Sequence, residues 1–199
     1  MKGKLLMSKI KLIALFGKSG AGKDTIQHWL QEHYDIFNGL VSYTTRPPRR
    51  NEINGEDYNF ISTQEFLDKL SRDEILEYAE FNEWYYGTAI DAFDKNKINL
   101  GVFNIQGIRS LMKYNDKIEM LPVYIDAPDR IRLLRALKRE SNPNCYEICR
   151  RYLADEKDFQ LLDFYHEYYY NDGDLIEFYG FFNRPKVKEF LRGDSNKYD

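Results

Sequence analysis

The apolar run Ile10-Lys11-Leu12-Ile13-Ala14-Leu15-Phe16 leads directly into Gly17-Lys18-Ser19-Gly20-Ala21-Gly22-Lys23-Asp24-Thr25, and no other stretch constrains the fold as strongly. An apolar strand that ends in glycines and continues into an amphipathic segment (Thr25, Ile26, Trp29, Leu30) has the strand–loop–helix layout of a phosphate-binding loop. Glycines let successive backbone N–H groups converge on one concave spot, and the helix that follows adds partial positive charge there. Lys23 supplies a point charge for the outer phosphates of a nucleoside triphosphate. Gly17, Gly22 and Lys23 fit the spacing, but Asp24 stands where a hydroxyl that meets magnesium is expected, with Thr25 one place later. A glycine-rich turn with an aspartate capping its helix is the alternative; the strand before, the helix after and the lysine in place favour phosphate binding.

The 199 residues suit one domain with an inserted lobe. A hydrophobic share of 43% with 31% charged residues describes an ordinary globular chain, and a net charge of -3 argues against a nucleic-acid polymer as partner. No apolar run reaches the roughly 18 residues needed to span a bilayer, and Met1 to Lys9 lacks an export signal's apolar core. The expectation is a cytoplasmic protein, monomer or homodimer, without membrane contact. Cys145 and Cys149 are read as structural thiols. Neither they nor the scattered His28, His33 and His166 form a metal or nucleophile motif.

Past the loop, the patterns predict a helix from about Asp24 to Tyr34 and a strand over Gly39–Thr45 that ends in the cationic turn Arg46-Pro47-Pro48-Arg49-Arg50. An Asn-Gly turn, a short aromatic strand, a helix over Thr63–Ser71 and two strands around Asn82-Glu83 follow. This block breaks the strand–helix alternation, so 46–92 is read as an inserted lobe, with 1–45 and 93–199 as the core. The core resumes with strands at Ile98–Asn104 and Met120–Ile125, a long helix from Pro128, a strand at Tyr168–Tyr170 and a helix over Gly173–Leu191. Alternation behind a phosphate loop predicts an α/β three-layer fold: a parallel sheet of about five strands covered on both faces. Arginines flanking the Ser141-Asn142-Pro143-Asn144 turn, with some left as solvated face, suggest a helical lid over about 135–152.

From Leu12 to about Leu191 the chain resembles guanylate kinases, the P-loop nucleoside monophosphate kinases that phosphorylate GMP from ATP. The resemblance is carried by Ser42-Tyr43-Thr44-Thr45-Arg46 through Tyr58, then Glu77 and Tyr85-Tyr86-Gly87-Thr88, at this distance from the loop. It implies that Arg46, Arg49, Tyr58 and Tyr86 hold the GMP phosphate, while Ser42, Glu77 and Thr88 read guanine. Gly17, Ser19, Gly20, Ala21, Gly22, Lys23, Asp24, Thr25 and Asn171 would bind ATP, and Lys23, Arg46, Arg135, Arg139 and Arg151, less firmly Arg150, would serve the transferring phosphoryl group. Mg2+ is expected with ATP. Val102 and Asn104 depart from the family, which has aspartates there to read the base and support magnesium. Asp24 could compensate as a metal ligand or could merely cap its helix. Two other readings stay open: a monophosphate kinase of altered base or deoxy preference, and a catalytically weak binding module of the same fold.

Overall fold

The computed structural model describes residues 9–49, 52–139, 142–173, 178 and 180–192. Arg50, residues 1–8, the tail from 193, and positions 174–177 and 179 of the expected last helix lie outside them.

The elements run β1 (Ile10–Phe16), α1 (Lys23–His33), β2 (Phe37–Gly39), β3 (Tyr43–Thr44), β4 (Asn59–Phe60), α2 (Thr63–Ser71), β5 (Ile75–Phe81), β6 (Trp84–Ala89), β7 (Ile98–Val102), α3 (Ile105–Leu111), β8 (Ile118–Asp126), α4 (Asp129–Lys138), α5 (Cys145–Asp158), β9 (Glu167–Tyr170) and α6 (Pro185–Arg192). A five-stranded sheet has the order β2-β7-β1-β8-β9, and every pairing in it is parallel. Because side chains alternate along a strand, β1 feeds two cores. Ile13 and Leu15 meet α1 and α6 through Ile26, Leu30, Val187 and Phe190. Leu12, Ala14 and Phe16 meet α3 through Ile105, Ile108 and Leu111 on the other face. The expected three layers are present, with the phosphate loop leaving the sheet's central strand.

A second sheet, β4-β3-β6-β5, is mixed. Its β5–β6 hairpin turns on Asn82 (φ 51°) and Glu83 (φ 65°), the left-handed pair that matches strand twist in a two-residue turn. Helix α2 starts with a Ser62–Glu65 capping box and buries Phe66 against the sheet, stacked on Tyr85 at 5.3 Å.

Three of the boundaries that differ from the sequence expectation have a plain physical reason. The single strand over 39–45 is two: Leu40 N–H donates to Leu100 O at 2.7 Å as its last tie to the large sheet, and Asn59 N–H already donates to Ser42 O in the small one. The strand from Ile98 stops at Val102, because Asn104 turns to cap α3, its Oδ1 accepting from Gly107 N–H at 2.6 Å. The last helix is interrupted around Asn183 and Arg184, since Pro185 has no N–H to continue the ladder and so begins a new helix.

Candidate functional site

At the carboxyl end of β1 the loop coils under glycines that cannot be replaced. A Cβ at Gly17 would lie 2.1 Å from Ile125 O, and Gly20 (φ 78°) and Gly22 (φ 93°) are left-handed. The Lys23 ammonium curls back and donates to Gly17 O at 2.8 Å and Lys18 O at 3.1 Å. Burial lowers its pKa, and the charges of Asp24 and Asp155 work against that shift. Helix α1 begins at Gly22 with no side-chain cap, so its first amides are left for an anion. Asp24 is therefore not the cap. Its exposed carboxylate faces Arg139 at 3.6 Å instead. Ser19 and Thr25 are exposed, and Ala21 is buried.

Asn171 closes the loop from β9. It is 2% exposed and donates from Nδ2 to Ala21 O at 2.7 Å. Its Oδ1 is buried without a partner among the described residues, an acceptor suited to an amino group.

Helix α4 presents arginines at positions 132, 135 and 139, spaced to share one face. Arg135 reaches Gly20 O at 3.2 Å and Ala21 O at 3.3 Å, and Arg139 reaches Asp24. Arg132 is not solvated face but 1% exposed. Arg151 lies apart from this row and pairs with Glu147 at 2.7 Å, as does Arg150. The two guanidiniums hold the Glu147 carboxyl down at about 2. The Arg150 guanidinium also sits over the Phe81 ring, 5.5 Å from its centre, so α5 touches the tip of the β5–β6 hairpin.

On the second sheet the base-reading candidates form a chain. Ser42 Oγ lies 3.4 Å from Thr88 Oγ1, which donates to Glu77 Oε1 at 2.7 Å. Burial raises the Glu77 pKa, opposed by the Thr88 bonds. Gly107 of α3 packs beneath this carboxylate. Beside the chain, Arg46 is 5% exposed and gripped by both Glu52 oxygens at 2.8 and 2.9 Å, against the rings of Tyr58 and Phe60. Arg49 N–H donates to the same Glu52 at 2.7 Å. Tyr86 faces Tyr58, ring centres 6.0 Å apart.

The guanylate kinase family model matches residues 9–179. The chain belongs to the guanylate kinase family. It is 37% identical over 132 residues to a guanylate kinase of Chlamydia muridarum, covering 64% of this chain and 63% of that protein. It is 34% identical over 161 residues to the human guanylate kinase, covering 77% of this chain and 80% of that one. A relative from Protochlamydia amoebophila is 28% identical across 94% of this chain and 97% of its own length. The fold matches a guanylate kinase crystal structure from Anaplasma phagocytophilum with a TM-score of 0.62 at 22% identity, over 97% of this chain and 90% of that one.

Against the guanylate kinase pattern, half-buried Val102 packs on the first core and Asn104 spends its oxygen on the α3 cap. Cys145 and Cys149 are free and exposed on α5, not packed as structural thiols. No helix of the described residues is long and apolar enough to cross a membrane. Sequence reasoning missed Glu52, which fixes Arg46 across a turn, and Gly107, which seats Glu77. A bidentate partner for a buried arginine was a signal available in principle, since Glu52 is the first acid after the cationic turn.

Proposed function

We propose that this chain is an ATP:GMP phosphotransferase, moving the γ-phosphoryl group of ATP to GMP or dGMP to give ADP and GDP or dGDP. The observation that carries this is the Ser42–Thr88–Glu77 chain, which ends in a half-buried carboxylate. A carboxylate accepts from two neighbouring donors, the guanine N1–H and 2-amino group, whereas adenine offers no such pair. Tyr86 on β6, with Arg46, Arg49 and Tyr58 from the connection between β3 and β4, would hold the monophosphate. The lobe reading, 46–92 for GMP, 1–45 and 93–199 for ATP with a lid over about 135–152, follows from this division of labour.

The acceptor phosphate is ionised near neutral pH, so the reaction needs no strong base. A bond forms from its oxygen to the γ-phosphorus as the bond to the β–γ bridging oxygen breaks, and ADP leaves with that electron pair. Positioning and charge carry such a transfer. Lys23 and the backbone of Gly17 to Thr25 cradle the donor, Asn171 Oδ1 takes the adenine amino group, and Arg46, Arg135, Arg139 and Arg151 bracket the moving phosphoryl. Arg151 must leave Glu147 to do so. Mg2+ accompanying ATP would neutralise phosphate charge. Asp24 offers it a hard exposed oxygen, whereas the bonded Asn104 does not.

The test is ADP release with ATP and magnesium, offering GMP, dGMP, AMP, CMP, UMP and dTMP separately. Turnover with GMP and dGMP alone is the expected result. Turnover with another base reassigns the substrate, and folded protein that binds GMP without turnover is a binding module.

A further inference from the structure

The phosphate loop already holds an anion. Ser19 N–H donates to Asp155 Oδ2 at 2.6 Å, a charge-assisted bond from the last turn of α5 to the rim of the loop. Next to it, Glu156 pairs with Lys18 at 2.6 Å. Acids in the last turn of a helix face its negative end, which by itself disfavours them. Their partners lie across the gap, in the loop and in Arg132. The Arg132 guanidinium contacts Asp129 at 2.6 Å, Glu156 at 3.2 Å and Asp155 at 3.7 Å, and donates to Ser19 O at 3.3 Å. Asp155 is also near enough to Lys23 for its charge to act there. One carboxylate thus meets an amide and a guanidinium at the rim of the loop, the kinds of donor that a phosphate loop offers to phosphate.

We propose that Asp155 is an internal competitor for the phosphate loop: its carboxylate, steadied by Arg132, occupies the Ser19 amide and weakens the binding of ATP and ADP. Incoming phosphates either displace it or bind against its charge, and its return favours release of ADP. Asp155 also fastens the last turn of α5 to the loop. The proposal rests on the reading of this loop as the ATP site.

The sign separates this role from a structural one. A residue that merely shapes the loop weakens nucleotide binding when removed, whereas a competitor strengthens it. The full chain, as wild type, Asp155→Ala, Asp155→Asn and Glu119→Gln, is titrated calorimetrically with ADP, inorganic tripolyphosphate and GMP. Glu119 is an exposed acid near the start of β8, at the opposite end of the strands from the loop. Losing one charge-assisted competitor should tighten ADP and tripolyphosphate binding about tenfold in Asp155→Ala, less in Asp155→Asn, with GMP unaffected and Glu119→Gln like wild type. Arg132 keeps Asp129 and Glu156 in both variants. Asp155→Asn preserves volume and an acceptor, and so reports the charge alone if the alanine variant melts early. Wild-type or weaker affinity in a variant that melts like the parent overturns the proposal and leaves the ATP reading standing. Failure of every protein to bind ADP or tripolyphosphate overturns both.

Discussion

Gly107→Ala separates stability from recognition, because the two respond to this substitution in opposite directions. Gly107 is buried near the start of α3, and alanine in a helix is more favourable than glycine by about 0.8–1.0 kcal/mol. A Cβ built there, however, lies 2.9 Å from Glu77 Oε2 and 3.3 Å from Asn104 Oδ1. Ordinary contact begins near 3.4 Å, so Glu77 must retreat by 3.4 − 2.9 = 0.5 Å. It cannot do so freely, since Oε1 is tied to Thr88 at 2.7 Å. Where a misplacement of about 1 Å costs about a hundredfold, half of that costs about tenfold. Steady-state kinetics should therefore show the GMP KM about tenfold higher with the ATP KM unchanged, while the melting temperature holds or rises by a few degrees. A GMP KM that stays within twofold of wild type, in a protein that melts normally, would refute the assignment of Glu77 as the guanine reader.

Because burial raises the Glu77 pKa, the ionised form that accepts guanine's donors is lost on acidification before an ordinary carboxylate would be: the GMP KM should climb as pH falls toward the carboxylate range, and this limb should vanish in Glu77→Gln. The same shift makes the folded state bind the proton more tightly than the unfolded one, so Glu77's contribution to stability falls as pH rises between its unfolded and folded pKa; a melting temperature with the opposite trend in a wild-type minus Glu77→Gln comparison would contradict it. Gly22→Ala, at φ 93° and with its Cβ 2.5 Å from Asn171 Nδ2, should abolish ADP binding in calorimetry while GMP still binds; normal ADP affinity would show that the loop tolerates the side chain. Arg46→Lys retains charge but loses the fork that grips Glu52 and the flat face against two rings, so kcat/KM for GMP should fall by about a hundredfold; a loss under threefold would show that a point charge suffices.

Most of the architecture was legible because it is written in local periodicity. β1, α2 and β5 have the boundaries that the pattern gave, since each combines a clear period with a strong terminator: glycines after Phe16, Ser62 ahead of α2, and Asn82-Glu83 after β5. The misreadings fall where a local signal meets a tertiary choice. Residues 39–45 form one β-rich run by composition, and only the partners available, Leu100 on one side and Asn59 on the other, divide it between two sheets. Asn104 was compared with an aspartate near a metal, yet its position at the start of a helix made capping the local demand, and the Gly107 amide met it.

The site was legible to the extent that its residues recur in a fixed order, which is why Ser42, Glu77 and Thr88 could be grouped before any contact was visible. What order does not encode is the pairing of charges distant in sequence. Arg132 belonged to a row of arginines that looked alike, and the sequence offered no means to tell the buried member from the exposed Arg139. Burial decides it: a guanidinium 1% exposed needs several acceptors, and these come from Asp129 on its own helix and from Asp155 and Glu156 on α5. Once those carboxylates are drawn in to satisfy Arg132, they also stand against a loop built for anions. The need to satisfy Arg132 thereby shapes the charge beside the loop, and on the proposal above the same coupling makes Asp155 the residue whose removal should raise nucleotide affinity.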